Sequence, residues 1–281
     1  MEINLGEERI KCIHLVYFSP SGSTEKIVRR IASAIHGPEV KTYNLLPSAA
    51  RKKQYVFGKE DLVIYGSISA GMLFTKAEEI FECLQGNETP FIGVVSFGNA
   101  YYGVALTEMK ERAESRGFKV CALGAFVAQH TMAPEVGAGR PDAKDEAIMV
   151  DFGRKAYEKI LAGDDVLHRQ PVTYWSSSEQ FNQYIAFRET NKEPYCFPLE
   201  FRAKKISDAC IKCKTCVRNC PADAIDIENK TFDLEACIGC YGCINRCPMH
   251  AISPASPKVT EFMKGFIEAF KGARLEPDIF L

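Results

Sequence analysis

The chain has 281 residues, 46% hydrophobic and 25% charged, with a formal net charge of −1, enough for two compact units and without the field of a nucleic-acid binder. No apolar run reaches the length of a membrane span, and the start MEINLGEERIKC lacks the basic and apolar regions of a secretory signal. The expectation is a cytoplasmic protein with no nucleic acid and no membrane among its partners, in which twelve cysteines serve metal ligation better than disulfides.

Residues 1–165 alternate apolar strands with amphipathic helices. CIHLVYF (12–18) is short and rich in β-branched and aromatic residues. The helix predicted over 23–36 places Ile27, Ile31 and Ile35 on one face. VKTYNL (40–45), DLVIYGS (61–67), FIGVVSFG (91–98) and VCALGAFVA (120–128) read as further strands. Helices are predicted at 104–116 and 145–161. Such alternation implies a five-stranded parallel α/β sheet, doubly wound, with its ligand beyond the C-terminal strand ends.

Three loops leave those ends. SPSGST (19–24) joins the first strand to a helix. Gly22 permits the turn, and hydroxyls with free amides at a helix start can hold a phosphate. The turn has no lysine and matches no nucleotide triphosphate or dinucleotide fingerprint, so a monophosphate fits it better. The residues alone leave open a polar turn with a serine cap. GSISAGMLF (66–74) is rich in small residues, and SFGNAYYGVAL (96–106) sets Tyr101 and Tyr102 between glycines. A loop after the fifth strand carries His130, a candidate ligand contact, and Arg140, with Asp142 as a candidate helix cap.

Over residues 10–165 this pattern resembles flavodoxin, an FMN-binding electron carrier. The resemblance implies that Ser19, Ser21, Gly22, Ser23 and Thr24 bind the ribityl phosphate. It also implies that Ser67, Ile68, Ser69, Ala70, Gly71 and Met72, with Phe97, Gly98, Asn99, Tyr101, Tyr102 and Gly103, flank the isoalloxazine. Many flavodoxins place a tryptophan on the flavin. The only one here, Trp175, lies outside this region, so Tyr101, Tyr102 or Met72 must substitute.

Residues 166–204 lose the βα rhythm and are rich in aromatics, among them Tyr174, Trp175, Phe181, Tyr184 and Phe187. They read as a packed linker. Cys196 there, like Cys12, Cys83 and Cys121, reads as a small hydrophobe.

Residues 205–281 contain a repeat. Adding 27 to Cys210, Cys213, Cys216 and Cys220 gives Cys237, Cys240, Cys243 and Cys247, and Pro221 becomes Pro248. Two copies of one unit about a pseudo-two-fold axis follow. Structural zinc brings its ligands as two separated pairs, whereas here a triplet plus one occurs twice. The segment 205–255 resembles the bacterial two-cluster ferredoxin, in which the fourth cysteine of each run ligates the other cluster. On that resemblance Cys210, Cys213, Cys216 and Cys247 hold one [4Fe–4S] cluster, and Cys237, Cys240, Cys243 and Cys220 hold the second. The tail has Phe262, Phe266 and Phe270 at helical spacing, a face expected to dock on a neighbouring unit.

The whole chain resembles a family of prokaryotic single-chain proteins in which a flavodoxin-like domain precedes a two-cluster ferredoxin. This implies an electron carrier with FMN and two clusters that serves a partner redox protein. Two other readings stay open: a flavin-dependent reductase of a small acceptor, and a ferredoxin whose flavodoxin-like part only recognises a partner. The sequence gives no donor, acceptor, potential or oligomeric state.

Overall fold

The computed structural model describes residues 9–74, 76–174 and 198–281. Its first part runs β1 (Cys12–Tyr17), α1 (Ser23–Ala32), β2 (Glu39–Asn44), α2 (Ser48–Arg51), β3 (Tyr55–Phe57), β4 (Asp61–Ile68), α3 (Ala77–Glu82), β5 (Leu84–Gly86), β6 (Thr89–Phe97), α4 (Ala105–Ser115), β7 (Phe118–Val127) and α5 (Ala143–Leu161). β2, β1, β4, β6 and β7 lie side by side in that order, all parallel. This is the flavodoxin-like order of a doubly wound sheet. All six residues of β1 and all nine of β6 are buried, as strands covered on both faces require. β2, at the edge, is mostly exposed.

One face packs Ile13, Leu15, Ile64 and Val94 against Ile27 and Ile31 of α1 and Phe152 of α5. The other packs Val16, Tyr65, Phe91 and Val95 against Phe81 of α3 and Leu106 and Met109 of α4. The stretch 77–86, for which no element is predicted from sequence, forms α3 and then β5, which pairs in parallel with β3. As expected, Asp142 caps α5, accepting from the amides of Lys144 and Asp145 in a capping box.

The second part runs α6 (Leu199–Arg202), β8 (Lys204–Ile206), α7 (Thr215–Arg218), β9 (Ile225–Asp226), β10 (Thr231–Phe232), α8 (Gly242–Asn245), β11 (Ile252–Pro254), α9 (Pro257–Phe270) and β12 (Asp278–Phe280). The 27-residue repeat of the sequence is also a repeat of backbone. α7 maps onto α8, and the left-handed residues Lys212, Lys214 and Asp223 map onto Gly239, Tyr241 and His250. β8 pairs with β11 and β9 with β10, both antiparallel.

The C-terminus returns to the first sheet. β12 adds a sixth strand, antiparallel, on β7. The division of the sequence at 205 does not reveal this, because three residues carry no period of their own. Helix α9 docks on the loop after β7, with Val259 and Met263 innermost beside Ala133 and Val136. Its apolar stripe is rotated from the one expected: Phe266 and Phe270 are half-buried, while Phe262 stays 56% exposed. No described helix is long and apolar enough to cross a membrane. Trp175, Phe181, Tyr184, Phe187 and Cys196 lie outside the described residues.

Phe280 of β12 is fully buried in the main core. Replacing it by alanine should cost about 3 kcal/mol or more of unfolding free energy in denaturant titration. A cost below about 1 kcal/mol would contradict the added strand.

Candidate cofactor site

A cavity of about 390 Å³ opens beyond the C-terminal ends of β1, β4, β6 and β7, in the size range of small-molecule and cofactor sites. It is lined from the loops singled out in sequence by Ser21, Ser23, Ile68, Ser69, Ala70, Met72, Phe97, Gly98 and Tyr101. The other expected residues do different work. The Ser19 hydroxyl accepts from the Glu25 amide at 3.1 Å, and the Thr24 hydroxyl pairs with that of Ser96 at 2.8 Å, both supporting the turn from inside. Gly22 turns the chain into α1 at φ 96°. Ser67 is buried in β4.

Gly71 accepts the Val104 amide at 2.8 Å, and Gly103 exchanges backbone hydrogen bonds with Tyr174, so these two hold the loops together. Asn99 donates to Ala273 O at 2.7 Å and accepts from the Leu275 amide at 3.0 Å, fastening the C-terminal segment. Tyr102 points away from the cavity: its hydroxyl donates to Asp278 at 2.7 Å and its ring stacks on Tyr174. Of the adjacent tyrosines only Tyr101 faces the cavity, because neighbours on the chain project in different directions.

His130 forms part of the same wall. Its Nδ1 accepts from the amides of Met132 and Ala133 at 3.2 and 3.1 Å, which leaves the ring proton on Nε2. The ring packs on Phe266, with centroids 4.7 Å apart. Burial lowers its pKa from 6.5 to about 4. The neutral ring can therefore present one N–H donor. Phe201, Met263 and Phe266 complete this apolar side.

The opposite wall comes from the cysteine-rich segment: Gly239 and Cys240 line the cavity. This loop lies directly on the phosphate-type turn. A Cβ on Gly242 would lie 3.0 Å from both Cβ and O of Pro20, so only glycine fits without displacement. Arg246 donates through Nε to Pro20 O at 2.5 Å and through Nη2 to Ser19 O at 3.0 Å. Asn245 reaches Thr131 O at 3.0 Å. Sequence reasoning missed Arg246. A signal existed, since the repeat has Asn219 at the matching position and breaks its symmetry there.

The eight cysteines gather in two groups. Cys210, Cys213, Cys216 and Cys247 surround one small cavity, and Cys220, Cys237, Cys240 and Cys243 surround another. A tetrahedral zinc ion with bonds of about 2.3 Å would hold its sulfurs about 3.8 Å apart. Among the described residues no three of these sulfurs lie within 4.8 Å of one another; only Cys12, His14 and Asp61 come that close. That trio lies where β1 and β4 begin, and hydrogen bonds joining the His14 ring to Asp61 and Tyr43 account for it. The wider cysteine spacing suits a multi-iron core.

Burial raises the Cys240 thiol to about 12 and the Cys243 thiol further, which disfavours their free thiolates. Amides of Ala224 and Ala251 donate to Cys220 and Cys247 sulfur, both at 3.3 Å. Lys204 lies 3.5 Å from Cys237 sulfur.

Residues 209–252 match the family described as a 4Fe-4S dicluster domain. Among solved structures, a flavodoxin from the domain Archaea is 18% identical with a TM-score of 0.36, covering 53% of this chain and 98% of its own. Flavodoxin 2 from Bacillus cereus is 20% identical with a TM-score of 0.39, covering 52% and 98%. Rubredoxin oxygen:oxidoreductase from Desulfovibrio gigas is 15% identical with a TM-score of 0.38, covering 56% of this chain and 38% of its own. No curated protein matches. By its own strand order and by the family match, the chain joins a flavodoxin-like sheet to a segment that matches a 4Fe-4S dicluster domain.

The His130 assignment is checked by side-chain nitrogen NMR. The ring should stay neutral, with its proton on Nε2, from about pH 8 down to about pH 5.5. The unfolded chain takes up this proton near pH 6.5 and the folded one near 4, so His130 lowers stability as pH falls through that window. A folded-state midpoint near 6.5 would contradict the burial.

Proposed function

We propose that the chain is an electron-transfer protein that holds two [4Fe–4S] clusters and one FMN and exchanges electrons with a partner redox protein. The observation that carries this reading is the shared wall. Gly239 and Cys240 line the same cavity as Ser21, Ser23 and Tyr101. A cluster ligand therefore borders the space where the flavodoxin resemblance places the ring. Clusters exchange single electrons and a flavin one or two, so together they convert between the two kinds of chemistry.

The two cysteine groups differ in setting. Cys213 is exposed and Ile211 is 62% exposed, which gives the first group an outward face for a partner. Tyr241, at the position matching Lys214, is 2% exposed, and Lys204 stands over its ring. Of the second group, Cys240 borders the cavity. Lys204 and the amide–sulfur bonds stabilise negative charge on the sulfurs, which bears on potential.

The reductase reading has one observation in its favour. His130, Phe201 and Phe266 form an apolar wall with a single polar donor, the kind of surface that orients a small acceptor. A recognition-only module would need no cavity of this depth.

Anaerobically purified protein should contain roughly eight irons and one FMN per chain. Cys220→Ser should damage the cluster bound by Cys237, Cys240 and Cys243 and spare the other, as read by iron analysis and electron paramagnetic resonance. Loss of the cluster at Cys210 instead would overturn the crossed ligation, and absence of flavin would overturn the electron-carrier reading as stated.

A further inference from the structure

We propose that Arg246 is a phosphate-recognition residue at the turn beside the cavity: the cysteine-rich segment supplies the cation that the Ser19–Thr24 turn lacks. This rests on reading the cavity as a flavin mononucleotide site.

The turn itself contains no lysine or arginine. The Arg246 guanidinium lies on it, bonded to the carbonyls of Ser19 and Pro20. Its Nη2 is 3.5 Å from where a Cβ on Gly22 would stand, at the entrance to α1. Arginine has five N–H donors, and these two contacts leave others available. Among the described residues no carboxylate forms an ion pair with Arg246. Partial burial beside carbonyl dipoles without a counter-charge favours an anion nearby, and arginine suits phosphate oxygens.

The position is peculiar to the docked copy. In the outward copy the matching residue, Asn219, bonds to Thr215 O within its own helix. The residues of the docked loop divide the work. Cys240 and Cys243 belong to the second cysteine group, Gly242 allows the close approach to Pro20, and Arg246 reaches the turn. Phosphate affinity then depends on this loop being in place. By reciprocity, a bound phosphate steadies the loop that carries Cys240 and Cys243.

The test measures dissociation constants of FMN and of riboflavin, which has the same ring without phosphate, for full-length iron-loaded protein. Arg246→Gln should weaken FMN roughly ten- to a hundredfold and change riboflavin less than about threefold. Should that variant lose its iron, Arg246→Lys keeps the charge without the forked geometry and should show the same selectivity at smaller size. Equal weakening of both ligands would mean that Arg246 only joins the two segments, and unchanged FMN affinity would mean that it does not meet the phosphate. Either result overturns the proposal. Unmodified protein that binds neither ligand would instead overturn the flavin reading.

Discussion

The contact between the loop Gly239–Arg246 and the turn Ser19–Gly22 is the constraint on which the rest of the structure depends. Pro20 and Gly242 meet so closely that a side chain would push the two segments apart, and Arg246 ties the two backbones through two carbonyls. In a doubly wound sheet the C-terminal strand edge is where a ligand binds. Here that edge is walled by a cysteine loop, so the space beside the phosphate-type turn and the second cysteine group share a boundary. On the proposed reading, this contact fixes the distance between the flavin and the second cluster, which is the quantity a protein can set.

Other contacts hold the two parts in this position. Arg51 lies at the same strand edge, donating to Leu45 O, Leu46 O and Pro221 O, with Glu79 as its counter-charge. Ser48 reaches Asp223. From the far side the C-terminal segment closes over the sheet: Arg274 pairs with Asp142 at 2.7 Å, Arg140 donates to Leu275 O, and β12 lies along β7. Each surface pair contributes little alone. Together with the burial of Val259, Met263 and Phe280 they make the second part a lid on the first rather than a tethered neighbour.

Much of this was legible before any coordinates. Runs such as CIHLVY and FIGVVSF are buried on both faces, and their uninterrupted hydrophobicity said so. Ile27 and Ile31 marked the inner face of α1 by spacing alone. The cysteine repeat was legible because ligation demands fixed residues at fixed intervals, and its backbone follows the same 27-residue step. What escaped notice depends on pairing across long separations. β12 is three residues long, and Arg246 acts on carbonyls 226 and 227 positions away. The paired tyrosines show a further limit. Composition offered Tyr101 and Tyr102 alike, and only local backbone geometry turns one into the cavity and the other toward Asp278. The change from Lys212 and Lys214 to Gly239 and Tyr241 removes two charges from the copy that packs inward.

The central claim is that the two parts work as one electron path within a single chain. A rapid-mixing experiment tests it most directly: a one-electron donor reduces the clusters, and flavin reduction is followed optically across a range of protein concentrations. The shared wall and the high local concentration it imposes predict a rate independent of protein concentration. A rate rising in proportion to protein concentration would show that the centres meet only between molecules, and would contradict the account.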